Sequence, residues 1–380
     1  MDASMRTNLH KPLVVTFGVA LALSFAVAAS AQTPDPAKWA EVQKKAKEEG
    51  QLVLSGPPFQ GLRTALASAF KQRYGIDLNY LGMFAGEAIT RIDTESKAGK
   101  VSIDANLGGT STCWAMSPRG QIENMNGKLI DPEILQSSVW RGGKPKLNEA
   151  GPSPDLPADF RCSLQTAEWV MTDLFANTSI IKPGEIASWK DLLKPQYKGK
   201  IAAFDPRRSG PGQTPVGYLA ALFGQDYLKE LFIGQQVKLT ADNRQLAEWV
   251  ARGEYPIGIG LVQFAVETYR KQGLPIERVY PKDGEGSLTG GFSVVMLVKN
   301  APHPNAAQLF ANWFASREAQ TIYEQQMMET SLRTDVTGTN LPDYVRTRPG
   351  VAYPIDDYSY KHYTTVRMPA VEMLQKELQR

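Results

Sequence analysis

Apolar and polar positions alternate in a repeating order along this chain. A polar stretch over 36–49, rich in Ala and Lys, reads as a helix stopped by Gly50, and Leu52-Val53-Leu54 follows as a short apolar strand. Leu62, Ala65, Leu66, Ala69 and Phe70 recur at helical spacing, with Gly75 as the C-terminal stop. A strand over 76–81, a helix over 87–98 closed by Gly99 and a strand over 103–107 come next. This order predicts an α/β fold with a parallel sheet and crossover helices. Residues 141–161, rich in Gly and Pro, read as an irregular connection.

Beyond it the alternation resumes. Strand-like runs over 166–175 and 291–298 bracket a section with a helix near 189–193, a strand over 200–204, helices over 215–223 and 243–252, and a strand over 256–260. Two crossing hinge strands would join such a section, as a second lobe, to the first. Lobe I is then expected over 32–165 and 291–336 and lobe II over 166–290. Residues 305–328 are helical, with Ala307, Phe310, Ala311, Trp313 and Phe314 on the apolar face. The tail, 337–380, is assigned to neither lobe; it is irregular over 340–363, where Tyr353, Tyr358, Tyr360 and Tyr363 cluster.

The first residues change the picture. Arg6 and Lys11 precede an apolar run over 13–29, and Ala29-Ser30-Ala31 supplies small residues at a cleavage site. A spanning helix needs ~20 apolar residues, so a secretory signal cleaved after Ala31 fits better than a retained anchor. The expected location is the periplasm. Export makes Cys113 and Cys162 an even pair in an oxidising compartment. A disulfide between them would close a loop of about 50 residues, worth about 4 kcal/mol in the chain-entropy model; two buried thiols are the alternative.

Composition then narrows the chemistry. Of 380 residues, 42 are Lys or Arg and 39 are Asp or Glu, and a net charge of +3 gives no field suited to nucleic acid. Hydrophobic residues make up 42%, which excludes a disordered chain. The three histidines, His10, His303 and His362, are scattered, so neither a His-based triad nor a multi-histidine metal site is easily built. No metalloprotease, hydrolase-elbow, P-loop or C-x-x-C motif occurs.

In open parallel sheets ligands bind where strands lead into helix starts. The loop from Phe204 to Pro215 has that position. Thr214 is expected as N-cap with Pro215 in the first turn, and Gly210 and Gly212 let a ligand approach the backbone. Free amides, the hydroxyls of Ser209 and Thr214, and Arg207 or Arg208 would together hold an anion. The alternative is a solvated turn whose arginines pair with Asp205. From lobe I, Ser55, Gly56 and Phe59 follow one strand and Thr110 and Ser111 another, with Trp114 behind. Arg333 is a further candidate cation; Trp140, Trp169 and Trp249 fit packing or the hinge.

These residues also carry a resemblance. Trp189-Lys190-Asp191-Leu192-Leu193-Lys194-Pro195, Tyr197-Lys198-Gly199-Lys200-Ile201, Asp205-Pro206 and Ser209-Gly210 resemble the central motif of extracellular solute-binding proteins of ABC importers, in their ferric-iron-binding-like, type II periplasmic branch. The run Asn305-Ala306-Ala307, Phe310, Trp313-Phe314-Ala315-Ser316-Arg317-Glu318-Ala319-Gln320 is similar to a helix of the same family, and Ile103-Asp104-Ala105 and Arg333-Thr334-Asp335-Val336 fit less specifically. The resemblance implies a monomer whose two lobes close over one small solute for delivery to an inner-membrane permease, without a cofactor. Iron-carrying members use neighbouring tyrosines, and no adjacent Tyr-Tyr pair occurs here. The cationic loop points to a phosphonate, a sugar phosphate or a carboxylate. A ferric-iron carrier, a receptor feeding a sensor kinase and a secreted carboxylate-based hydrolase are the competing readings.

Overall fold

The structure, a computed structural model, describes Met1 and residues 34–171, 174–338, 341–354 and 360–379. The expected signal, from Arg6 through the cleavage site at Ala31, lies outside the described residues, as does Tyr358.

Lobe I starts with α1 (Pro36–Glu49). Asp35 caps it by accepting from the Lys38 amide at 3.0 Å, and Gly50 ends it in the left-handed region at φ 70°. β1 (Gln51–Gly56), α2 (Gln60–Tyr74), β2 (Asp77–Gly82), α3 (Ala85–Lys97), β3 (Ala105–Gly108) and α4 (Thr110–Met116) follow, close to the predicted alternation. β4 (Lys146–Glu149) and β5 (Arg161–Gln165) then lead out of the lobe.

The crossing is made by β6 (Trp169–Met171), after which β7 (Leu174–Asn177) opens lobe II. The run 166–175 is therefore not one long strand: its halves belong to different sheets. Lobe II continues with β8 (Ile201–Phe204), α5 (Gln213–Lys229), β9 (Lys238–Thr240), α6 (Asn243–Arg252), β10 (Ile257–Ile259), α7 (Gln263–Arg270) and β11 (Ile276–Arg278). The predicted helix near 189–193 is a 3₁₀ turn capped by Ser188. The chain returns through β12 (Ser287–Thr289), which pairs antiparallel with β6, Val170 opposite Leu288. β13 (Val294–Leu297), α8 (Pro304–Phe314) and α9 (Arg317–Met327) complete lobe I.

The lobe I sheet runs β2-β1-β3-β13-β5-β4 and the lobe II sheet β11-β7-β10-β8-β9. Both are mixed rather than purely parallel. In lobe I the returning β13 inserts antiparallel between β3 and β5; in lobe II the entering β7 lies antiparallel to β10 and β11. The fold is thus α/β with two lobes joined by a two-stranded hinge, as the resemblance implied. Phe70, Phe310, Trp313 and Phe314 pack together in the lobe I core, each almost wholly buried.

The tail resolves its own placement. Tyr344 and Val345 pack with Phe175 in lobe II. α10 (Tyr360–His362) passes through a wide turn, Tyr363–Arg367, into α11 (Met368–Glu377), whose Ala370, Val371 and Leu374 are buried with Val216 and Leu219 of α5. Cys113 of α4 and Cys162 of β5 form a disulfide with Cα atoms 5.7 Å apart.

Candidate functional site

Four helix starts meet where the lobes face each other. From lobe I, Phe84 caps α3 and Gly109 caps α4; from lobe II, α5 begins after Gly212, and Val262 caps α7. Each follows a strand end, so the pairing of β2, β3, β8 and β10 in their sheets fixes where the helices begin. The backbone N–H groups of a helix start carry partial positive charge, which favours an anion. The first turns of α4, α5 and α7 contain no acidic residue to neutralise it. In α3, Glu87 reaches back to the Phe84 amide at 3.3 Å and offsets part of the charge there.

Residues from all four starts line one cleft: Phe84, Gly109 and Ser111 from lobe I, Ser209, Gly210 and Thr214 from lobe II with Val262, and Trp169, Met171, Thr289, Gly291 and Phe292 at the hinge. Its free volume is about 40 Å³, little more than one water molecule occupies. The lobes are therefore shut upon each other. Phe59 of lobe I meets Phe264 of lobe II with ring centroids 4.0 Å apart, and Phe84 and Phe292 pack around Phe59. Beside the cleft, across Thr110 of the same helix start, lies a cavity of about 790 Å³ bordered by Trp114, Asn148, Gly151 and Tyr360.

The structure brings together Ser111, Ser209, Gly210 and Thr214, while Thr110 borders the neighbouring cavity and Phe59 packs against Phe264 and Phe292. Other candidates stand elsewhere. Ser55 is fully buried, accepting from the Asn106 side-chain amide at 2.7 Å, and the Tyr80 ring occupies the space beside Gly56. Gly212 packs so tightly on the Asp205 carbonyl that no side chain fits; it serves the turn rather than ligand approach. Thr214 is not the N-cap; Gly212 is, and the amides of Gln213 and Thr214 both donate to the Gly210 carbonyl at 3.0 Å. The helix start thus keeps fewer free donors than the residue types suggest.

The cations also differ from expectation. Arg207 is held by Asp205 at 2.7 Å, and the Arg207 guanidinium helps to hold the Asp205 carboxyl below the usual range against the opposing effect of burial. Arg208 is exposed beside the turn. Arg333, 3% exposed, donates to Asp335 through Nε and Nη2, each at 2.8 Å, and to the Ala315 carbonyl at 2.9 Å. It ties lobe I together and does not reach the cleft.

Sequence reasoning missed the apolar and carboxylic parts of the site. Trp169, assigned to hinge packing, occupies the hinge and also lines the cleft; its indole N–H is buried with no partner among the described residues. Behind Gly291, whose φ is 54°, lies the fully buried Glu329. A side chain at Gly291 would collide with the Glu329 carboxyl and the Trp169 indole. Glu329 accepts from the Tyr323 hydroxyl, and the Phe292 amide and Gln263 side chain also face it. Burial nevertheless pushes its carboxyl up to about 8. Only the Gly290-Gly291 pair ahead of an apolar strand could have signalled such a close approach.

No group of three or more His, Cys, Asp or Glu side chains is arranged for a metal among the described residues, and no helix there is long and apolar enough to cross a membrane.

Comparison with known proteins gives this geometry its context. Residues 164–346 match the family described as bacterial extracellular solute-binding protein. An uncharacterised protein of Haemophilus influenzae is 27% identical over 311 residues, 79% of this chain and 83% of its own length. A periplasmic protein of Salmonella typhi named for 2-aminoethylphosphonate binding is 26% identical over 166 residues, 42% of this chain and 49% of its own. The fold matches the periplasmic binding protein AfuA of Actinobacillus pleuropneumoniae, solved with fructose-6-phosphate (TM-score 0.70, 22% identity, 87% of this chain and 99% of that one). It also matches iron-bound HitA of Pseudomonas aeruginosa (TM-score 0.63, 17% identity, 86% and 98%). Residues 164–346 are thus similar to the bacterial extracellular solute-binding proteins, and the two-lobed fold over most of the chain is that of periplasmic binding proteins.

Proposed function

We propose that this receptor captures a small organic anion, of phosphonate, sugar phosphate or carboxylate type, between its lobes and presents it to an inner-membrane permease. The observation that carries this reading is the convergence of the α3, α4, α5 and α7 starts on one cleft. Their combined dipoles supply the positive potential that Arg207, paired with Asp205, does not. The hydroxyls of Ser111, Ser209 and Thr214 and the Trp169 indole N–H add neutral donors, suited to oxygen atoms of a charged head group.

The cavity beside the cleft has room for the body of the ligand once the anion occupies the slot. Tyr360, partly exposed on its border, offers apolar surface to a sugar or another flat group. The names of the relatives, a phosphonate binder and a sugar-phosphate complex, support the same chemistry. The domain assignment and removal of a leader after Ala31 belong to the same reading, since the receptor has to act outside the cytoplasm.

Isothermal titration with 2-aminoethylphosphonate, fructose 6-phosphate and a dicarboxylate tests it. Binding of at least one with micromolar or tighter affinity is expected. If all three fail while ferric ion produces a tyrosinate absorption band, the metal-carrier reading replaces this one. Mass spectrometry of ligand released from protein purified without refolding then names the solute.

A further inference from the structure

We propose that the C-terminal segment sets the distance between the two half-sites, with Tyr360 and Tyr363 as positioning residues that favour the shut arrangement before any ligand arrives. One short stretch of chain grips both lobes, and it does so on the two helices that carry opposite sides of the cleft.

On lobe I the anchor is Trp114, in the same short helix as Ser111. Tyr363 tilts against its ring with centroids 5.4 Å apart, and Tyr360 meets it edge-on at 6.2 Å. Tyr360 also lies flat on Gly151, where a side chain would strike the ring. On lobe II the anchor is α5, in the turn after Thr214. Arg367, 2% exposed, covers Gly217 so closely that a Cβ there would be 2.9 Å from its side chain. α11 then buries Ala370, Val371 and Leu374 in the core that holds α5.

The preceding part of the tail braces the hinge itself. The Pro354 carbonyl accepts from the Leu288 amide of β12 at 2.9 Å, and Arg348 pairs with Glu285 and lies over Tyr280. Opening the lobes carries α4 away from α5. With α11 fixed to α5, the tail contacts that must break are those of Tyr360 and Tyr363 with Trp114 and of Tyr360 with Gly151. They are ring contacts of modest strength, so the bias they provide is one that thermal motion can overcome. A larger shut population in the free protein raises apparent affinity in proportion.

Small-angle scattering of the ligand-free protein tests this whatever the ligand is. The Tyr360→Ala/Tyr363→Ala variant is expected to scatter with a larger radius of gyration than the wild type, at unchanged circular dichroism. The Tyr360→Phe/Tyr363→Phe variant keeps both rings and is expected to match the wild type. Gly151→Ala, which leaves the tail sequence intact and displaces Tyr360, is expected to open the protein as well and carries the test if the double alanine variant does not fold. Equal radii for the wild type, the alanine variant and Gly151→Ala would overturn the proposal, as would equal expansion in the phenylalanine variant.

Discussion

The two lobes bring a strand end, a small-residue turn and a helix start to the same cleft, yet they brace it in opposite ways. In lobe I the start of α4 is stapled: Cys113 is bonded to Cys162 of β5, and the Trp114 indole donates to the Glu149 carbonyl at 3.2 Å. In lobe II the corresponding turn is held by its own backbone and by the Arg207–Asp205 pair, with Arg207 and Arg208 exposed. One side is braced by a covalent bond; the other is held by hydrogen bonds and one ion pair. If the proposed function holds, lobe I would fix the ligand's orientation and lobe II would make the closing contacts.

The comparison is most easily disturbed where the lobes meet, at Glu329. Its carboxyl titrates near 8 in the folded protein against 4.5 unfolded. Between those values the folded state keeps a proton that the unfolded chain loses, so stability falls by about 1.4 kcal/mol per pH unit as pH rises through the window. Glu329→Gln cannot ionise, and urea unfolding between pH 5 and 8 is expected to show a flatter dependence and a more stable protein at pH 8. An unchanged slope would mean that Glu329 is ionised in the folded state.

The staple comes next. Reducing it, or Cys113→Ser with Cys162→Ser, is expected to cost about 4 kcal/mol in denaturant unfolding. Ligand affinity of the folded fraction should weaken as well, if a fixed lobe I wall is what orients the solute. Arg333→Ala, which leaves Asp335 and the Ala315 carbonyl without their donor, is expected to cost about 3 kcal/mol of stability while affinity stays the same. A large loss of affinity with intact stability would return Arg333 to the binding site. The smallest effects sharpen the contrast most: Ser111→Ala and Ser209→Ala are each expected to weaken binding of the titrated anion about tenfold, near 1.4 kcal/mol. Stopped-flow kinetics should show the Ser209 change mainly in the dissociation rate, because the closing loop supplies that contact.

Much of the frame was legible because its signals are local. Gly50, Gly75 and Gly253 end helices in the left-handed region, which the sequence marks openly. The hinge was legible as two apolar runs flanking a section with its own alternation, although only short pieces of them are strands. The lobe II loop announced itself by glycine and hydroxyl residues after a strand. Phe84 and Val262 gave no such sign, since neither has a capping side chain; their helix starts are placed by the sheets. The burial of Arg333 and the tail's hold on the hinge were hidden for another reason. Both depend on carbonyl partners distant in sequence, Ala315 and Pro354, and backbone acceptors are the same at every residue.

Trp169 offers a practical benefit. An indole at the bottom of the cleft, with its N–H awaiting an acceptor, changes its emission when solvent or solute moves near it. Capture could therefore be followed by the protein's own fluorescence, without any attached dye, provided the signal is assigned by comparison with a Trp169→Phe variant.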